Sequence, residues 1–366
     1  MAVRPFVEED IPQVASLYWA FMLRRKGPAP PELHASFREL YFTNPWIDET
    51  PATLVYEEKD GRVVGFLGVI RRKMSLCGRP IRVAFGGNFV VDPEARSSLA
   101  GVRLLGKYMA GDQELSMTDS ANNMSRTLLE RLGFRTLVLP SIHWVRPLRP
   151  TRFAAYAASR AVTPGIAKTV NVLTRPFCAL ADGLAARIPS SPFHCTEPSL
   201  YAAELDAETL LRCLTEFRKD YSLWADYDSH SLQWLLSFIQ SRTFRGTLRK
   251  LVLRNDAEDI VGWYVYYAKP GGISEVVQIG SAPRFLKHVL DHLFYDAWSQ
   301  GVIALHGVIQ NRMMPELSDK NCLFTCRGGW TVAHSRKSEL LELLAHGDAF
   351  LSRLDGEWCL APGNLG

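Results

Sequence analysis

The stretch VDPEARSSLAGVRLL, Val91–Leu105, has residue types and spacing that suit phosphate chemistry. It reads as the end of a strand, a tight turn and the start of an apolar-periodic helix. At such a junction backbone N–H groups point outward and the helix dipole favours an anion. Loops of this kind are ordinarily glycine-rich, because the backbone must approach its ligand closely. Here the turn runs Arg96-Ser97-Ser98-Leu99, and glycine enters only at Gly101. The residues therefore admit two readings, a phosphate cradle or an ordinary strand-to-helix turn. Other groupings offer less chemistry. Cys322 and Cys326 form a C-x3-C, but no second Cys or His pair follows at zinc-like spacing. His288 and His292 stand four apart on an expected helix without the adjacent glutamate of a zinc-protease motif, so they read as packing or solvent-facing histidines. No metal is expected. No Ser-His-Asp arrangement and no nucleotide-triphosphate loop is visible.

The elements that must hold this turn alternate helix and strand. Ile11 to Arg24 has a helical apolar period, with Asp10 as its N-cap. ATLVYEEKDGRVVGFLGVI reads as two strands joined at Asp60-Gly61, and MSLCGRPIRVAFGGNFVV as a hairpin turning at Cys77-Gly78-Arg79. A helix follows from about Ser98 to Ala110, then a short strand at LSMTD. Asn122 to Leu132 is a helix ended by Gly133, and FRTLVLPSIHWV a final strand pair or extension. That order predicts an α+β layer fold built on one mixed sheet. From Arg146 to Phe193 Pro147, Pro150, Pro164, Pro176 and Pro189 punctuate Ala-rich helical pieces, and seven basic residues (Arg146, Arg149, Arg152, Arg160, Lys168, Arg175, Arg187) face one acid, Asp182. This is either a helical linker with a solvated face or a basic amphipathic surface for an anionic membrane or glycan. The remainder repeats the opening theme. LVYEEKDGRVVGF at Leu54–Phe66 aligns without a gap to LVLRNDAEDIVGW at Leu251–Trp263, and the strands and helices that follow keep the same order, as an internal duplication would.

Composition bounds the function. At 366 residues, two domains are expected. Apolar residues make up 47% and charged residues 22%, as in globular proteins with an aqueous surface. No run of about 18 uninterrupted apolar residues offers a membrane span, and the opening MAVRPFVEED has no secretory apolar core. A net charge of +4 is no nucleic-acid signature. Seven scattered cysteines, an odd number, point to reduced thiols and a cytoplasmic protein.

With these residues in hand, the chain resembles the GNAT N-acetyltransferase superfamily. VRPFVEEDIPQVASLY is similar to that family's opening strand and first helix. Val91-Asp92-Pro93-Glu94-Ala95-Arg96 is similar to the strand end before its acetyl-CoA loop, and NNMSRTLLERLGF to its later Asn-to-Gly-Phe helix. The resemblance covers most of residues 3–140, and residues 199–366 resemble a second, weaker copy. It implies an acyl-CoA-binding domain at 1–145, a basic helical linker at 146–198 and a degenerate GNAT-like domain at 199–366, each domain a mixed, mostly antiparallel sheet flanked by helices. The family's loop is Gln/Arg-x-x-Gly-x-Gly/Ala. Arg96 fills its first position and Gly101 its last, while Leu99 replaces the middle glycine. A leucine there can offer its N–H to phosphate if its φ is negative and its side chain points away. In the second copy the equivalent turn is Gly280-Ser281-Ala282-Pro283-Arg284, whose proline removes a donor, so this copy is not expected to hold CoA in the usual way.

The resemblance further implies acetyl-CoA or another acyl-CoA as cofactor and an amine of a small molecule or sugar as acceptor. Arg96, Ser97, Ser98 and Gly101 would hold the diphosphate, Phe89 and Val91 would present backbone to the pantetheine arm, and Asn122 falls where the family has an asparagine near the cofactor. The family's frequent tyrosine, which protonates the departing thiolate, is Leu129 here. Acyl transfer to an amine needs a neutral nucleophile, a donor for the carbonyl oxygen and a base. GGNFVV, Gly86–Val91, is placed to supply the donor, its glycines suiting a bulge or close approach. Asp119 is the candidate base, and its other reading is capping of the following helix with Ser120. Asn88 is a candidate contact to acceptor or pantetheine, or a bulge hydrogen bond. Asp92 and Glu94 read as turn residues. Alternation along Trp263–Tyr267 places one aromatic set in the core, and the other either lines an acceptor groove or lies under helices. His306 faces a cleft or the core. Two rival functions stay open. One is a catalytically silent GNAT-like scaffold, as in polysaccharide assembly. The other is an aminoacyl-tRNA-dependent transferase, against which the near-neutral charge outside the linker speaks.

Overall fold

The computed structural model describes residues 2–46, 53–159, 177–194, 197–326 and 329–362, and leaves out the side chains of 96–98 and 311. The chain forms two compact units. The first takes Met1–Ser141, Arg218–Phe244 and Cys326–Gly366, and the second takes Ile142–Phe217 and Arg245–Thr325. Both are α+β, as the residue pattern predicts. Neither is a contiguous half of the sequence, so the boundaries differ from those at 145 and 198.

In the first unit β1 (Ala2–Pro5), β2 (Leu54–Glu57), β3 (Val63–Leu76), β4 (Arg79–Val91), β5 (Leu115–Ala121) and β6 (Arg135–Leu137) build most of one sheet. Its two hairpins turn where their residues demand. Gly61 is left-handed at φ +85°, and Cys77 and Gly78 are left-handed in succession (+50° and +82°), the backbone of a tight two-residue hairpin. Four helices matter here: α1 (Ile11–Leu17), α2 (Pro31–Phe42), α3 (Ala100–Met109) and α4 (Asn123–Arg131). The helix expected over Ile11–Arg24 is α up to Leu17 and continues as a π turn over Tyr18–Met22. Asp10 does not cap it. Its carboxylate is drawn instead to the Arg4 guanidinium at 2.6 and 2.8 Å and accepts the Val7 N–H at 3.1 Å. On one face of the sheet Phe66 meets Phe6 and, from α2, Phe37 and Tyr41, each edge to face. The other carries Tyr56, Val64 and Leu67 against Leu104, Tyr108 and Leu129.

FRTLVLPSIHWV does not form one pair. Its first strand, β6, stays in the first sheet, whereas β7 (His143–Pro147) joins the second. That sheet continues with β8 (Tyr201–Glu204), and the first sheet regains β9 (Leu223–Ala225), antiparallel to β3. The second then adds β10 (Thr247–Arg254), β11 (Ile260–Ala268), β12 (Ile273–Ser281), β13 (Ala304–Val308) and β14 (Leu323–Thr325), in the order β14-β7-β13-β12-β11-β10-β8. The order β10, β11, β12, helix Leu286–Ser299, β13 repeats β2, β3, β4, α3, β5. The last strands return to the first sheet. β15 (Trp330–His334) lies antiparallel between β5 and β6, and β16 (Ala349–Phe350) runs parallel to β9.

Trp263, Tyr264, Val265, Tyr266 and Tyr267 are all fully buried, so neither face of β11 offers an aromatic groove to a sugar. His306 is held at 2.8 Å from Glu275 and stacks on His143. Of the seven linker cations, Arg160, Lys168 and Arg175 lie outside the described residues. Arg146 is buried with its guanidinium donating to Pro192 O at 2.6 Å, Arg149 donates to Val302 O and Trp298 O, and Arg152 faces Asp182 at 3.6 Å. These three therefore serve the second unit's interior, and Arg187 is the exposed one among those described. No helix among the described residues is long and apolar enough to cross a membrane.

Candidate active site

β4 and β5 are parallel neighbours over a short length, with Val83, Ala84 and Phe85 opposite Leu115, Ser116 and Met117. Beyond Phe85 the strands part. β4 slips register against β3 between Gly87 and Val90, and Asn88 there is left-handed at φ +52°. A bulge bends its strand and turns backbone groups away from the ladder. β5 meanwhile pairs on with β15. The gap becomes a cleft of about 210 Å³, lined by Gly86–Phe89 on one side, Thr118 and Ser120–Asn122 on the other, and by Tyr18, Tyr108, Leu129 and Glu357. Tyr108 closes its base. The buried hydroxyl stands 2.6 Å from Ala84 O and 3.2 Å from Met117 O, bridging both strands where they separate. Gly86 makes room for that ring, since a Cβ there would sit 3.2 Å from it.

Glu357 enters the same gap from residues 351–362, a segment that carried no sequence signal. Its carboxyl accepts from the Thr118 hydroxyl, from the Ser120 hydroxyl at 2.6 Å and from the Asp119 N–H at 3.1 Å. Asp119 in turn accepts the Trp358 N–H at 3.1 Å. The fit requires two glycines. A Cβ on Gly87 would stand 2.6 Å from Glu357 Cγ, and one on Gly356 would collide with Asp119 Oδ2. Burial holds the Glu357 carboxyl well above the usual carboxylate range, and the negative charge of Asp119 raises it further. Burial also raises Asp119, offset in part by its contact with Glu357 and by the Trp358 N–H. Two carboxyls so placed titrate as a pair and keep a proton where surface carboxylates have lost theirs. Such a pair can take up or give a proton above the usual carboxylate range in a partly enclosed cleft.

A larger cavity, about 440 Å³, opens in the second unit beside helix Leu286–Ser299. Its Lys320 and Asp291 pair with each other. Among the described residues no group of three or more His, Cys, Asp or Glu comes together. Burial pushes the Cys322 thiol up to about 12.

Against solved structures, the chain is similar over 91% of its length to an Enterococcus faecalis protein of unknown function described as a probable N-acyltransferase, with 10% identity, a TM-score of 0.60 and 72% of that chain covered. A GCN5-related N-acetyltransferase from Anabaena variabilis matches at 11% identity and TM-score 0.58, over 92% of this chain and 73% of that one. Saccharomyces cerevisiae N-myristoyltransferase, seen with bound myristoyl-CoA, matches at 11% identity and TM-score 0.53, over 91% and 79%. The fold is that of the GNAT superfamily. No family model and no curated protein sequence matches the chain.

On this GNAT frame the residues named from the sequence fall in three groups. Asn88, Phe89 and Asn122 line the cleft. Asn88 donates its amide to the Tyr41 hydroxyl at 2.8 Å, and Asn122 caps α4 by accepting the Ser125 N–H at 2.9 Å. Asp119 therefore does not cap α4, and its backbone and carboxyl serve the Glu357 segment instead. Val91 and Gly101 lie together beside the cleft, where a Cβ on Gly101 would sit 3.6 Å from Val91 and 3.1 Å from the Phe89 ring. Gly101 thus has a packing reason independent of phosphate. Arg96, Ser97 and Ser98 stand in the 3-10 turn Pro93–Ser98 that leads into α3, and their side chains lie outside the described residues. The expectation for Leu99 needs correction in one respect. Its φ is +58°, not negative, although its side chain is 58% exposed and does not fill the cleft. The position has the backbone conformation that suits a glycine but carries a leucine. Leu129 is buried on the cleft wall. Asp92 accepts the Glu94 N–H at 2.9 Å, the turn role read from its sequence. In the second copy Pro283 opens the turn after β12 and offers no N–H there.

Proposed function

We propose that the chain is an acyl-CoA-dependent N-acyltransferase that moves a short acyl group, acetyl foremost, to an amine of a small molecule or sugar. The observation that carries this reading is Glu357, a buried carboxyl with raised proton affinity, standing in the gap between β4 and β5 of a GNAT fold. The turn after β4 suits a diphosphate, because α3 begins there and Leu99 points its side chain outward. Arg96, Ser97, Ser98 and the start of α3 would hold that group, and Phe89, Val91 and Asn122 would border the pantetheine arm. An acyl-CoA bound there supplies an activated thioester carbonyl. Glu357 accepts the proton that the attacking amine loses, and Asp119 positions it and shares the charge. The bulge at Asn88 turns backbone toward the carbonyl oxygen. No side chain takes the tyrosine's part at Leu129, and a thiol of pKa about 8.5 can depart as thiolate without one. Tyr108, closing the base of a small cleft, favours a short acyl chain.

The deciding measurement is thermal unfolding with and without acetyl-CoA at about millimolar concentration, where binding to the folded state alone raises Tm by mass action. Stabilisation is expected, and Arg96→Glu should remove it. Absence of any shift in the wild-type chain would favour a silent GNAT-like scaffold instead.

A further inference from the structure

Of two carboxyls that share a proton, one holds it more tightly. Asp119 and Glu357 have different company. Glu357 meets one fixed donor, the Asp119 N–H at 3.1 Å, and its other partners are the Thr118 and Ser120 hydroxyls. A hydroxyl can turn and accept as readily as it donates, so it serves this carboxyl whether charged or protonated. The surroundings of Asp119 are less adaptable. The backbone N–H of Trp358, at 3.1 Å, donates to it and cannot do otherwise. Arg353 stands in the same short segment, 4% exposed, with its guanidinium 4.2 Å over the centre of the Trp358 ring. Its charge acts on Asp119 and favours the ionised form. A guanidinium keeps its own proton at every working pH, so that bias is permanent.

The neighbouring titratable groups are otherwise engaged. Burial pushes the Tyr41 hydroxyl of α2 and the Tyr108 hydroxyl of α3 up, so both stay neutral beside Glu357. Arg72, also buried, donates from Nε to Asp355 O at 3.2 Å, and the Asp355 carboxyl accepts the Tyr227 hydroxyl at 2.8 Å. We infer that Arg353 is a positioning residue for the pair: its guanidinium, seated on Trp358, keeps Asp119 ionised and leaves the last proton to Glu357. The order has a chemical consequence. A charged Asp119 tightens the hold of Glu357 on that proton, so Glu357 is the member that exchanges it with a ligand in the cleft. This deepens the acyl-transfer reading, and rests on it only in naming that ligand an amine.

Carbon NMR of the side-chain carboxyls, followed against pH in the full chain and assigned with Asp119→Asn and Glu357→Gln, tests it. Asp119 is expected to ionise at lower pH than Glu357. Arg353→Met keeps the stem and removes the charge, and should move the Asp119 step upward by roughly one pH unit or more. Arg353→Lys keeps the charge and should hold Asp119 below Glu357. Circular dichroism will show that each variant is folded. An unmoved Asp119 step in folded Arg353→Met overturns the inference. So does Glu357 ionising first in the wild-type chain, a result that stands even where Arg353→Met does not fold. Acyl transfer is scored apart from these titrations. A chain with the expected order and no transferase activity sinks the transfer reading and leaves the role of Arg353 in place.

Discussion

A carboxyl group between two strands is stable only if something compensates its lost hydration. Glu357 receives two hydroxyl protons and one amide, all from consecutive residues of β5, and burial then raises its affinity for a proton. Glu357→Gln keeps most of that volume and removes the base. The expected result is a fall in kcat of roughly 10²–10⁴-fold with little change in KM for acyl-CoA. The acid limb of the wild-type pH profile should lie above the ordinary glutamate value of about 4.3 and vanish in the variant. Stability should follow the same titration. A carboxyl whose folded affinity is raised binds more protons in the native state, so its stabilisation is present at low pH and is lost as pH rises through the folded value. The melting temperature of Glu357→Gln should therefore gain on wild type from pH 5 to pH 8. The sequence disclosed half of this pair. Asp119 was visible because it ends a strand before a helix within the resemblance. Glu357 was not, because DGEWC has no spacing of its own and meets β5 across 238 positions.

At the scale of elements, local chemistry was legible and long-range pairing was not. Both hairpins of the first sheet turn at their glycines, and α4 begins at Asn122 and ends before Gly133 as its residues indicate. Alternation along Trp263–Tyr267 failed to mark an inside and an outside because both faces of β11 are covered, which erases the period. The entry into α3 makes a further point. A leucine at φ +58° costs about 1–2 kcal/mol relative to right-handed backbone. Glycine removes that cost but gains freedom in the unfolded chain, worth about 0.5–1 kcal/mol. Leu99→Gly should thus leave stability unchanged or raise it by up to about 1.5 kcal/mol, read from the urea midpoint. A clear loss would mean that the leucine side chain makes contacts its exposure does not suggest.

For the whole molecule, the duplicated order of strands was readable, but the exchange of strands between the sequence halves was not. β7 belongs to the second sheet and β15 to the first, and no periodicity in HWVRP or WTVAH names the neighbour it will find. Residues 1–198, the first domain and linker as the sequence divides them, lack β9, β15, β16 and Glu357. That fragment should show no cooperative urea transition, and co-expression with residues 199–366 should restore one.

The position of β15 also matters while the protein is being made. β5 emerges with one edge bare, and the strand that covers it follows roughly two hundred residues later, or about 10–40 s at ordinary elongation rates. Throughout that interval the nascent polypeptide displays an open β-edge, a template for joining other chains. Soluble yield should accordingly depend on chaperone supply and on the pace of the ribosome more steeply than the finished molecule's stability would suggest.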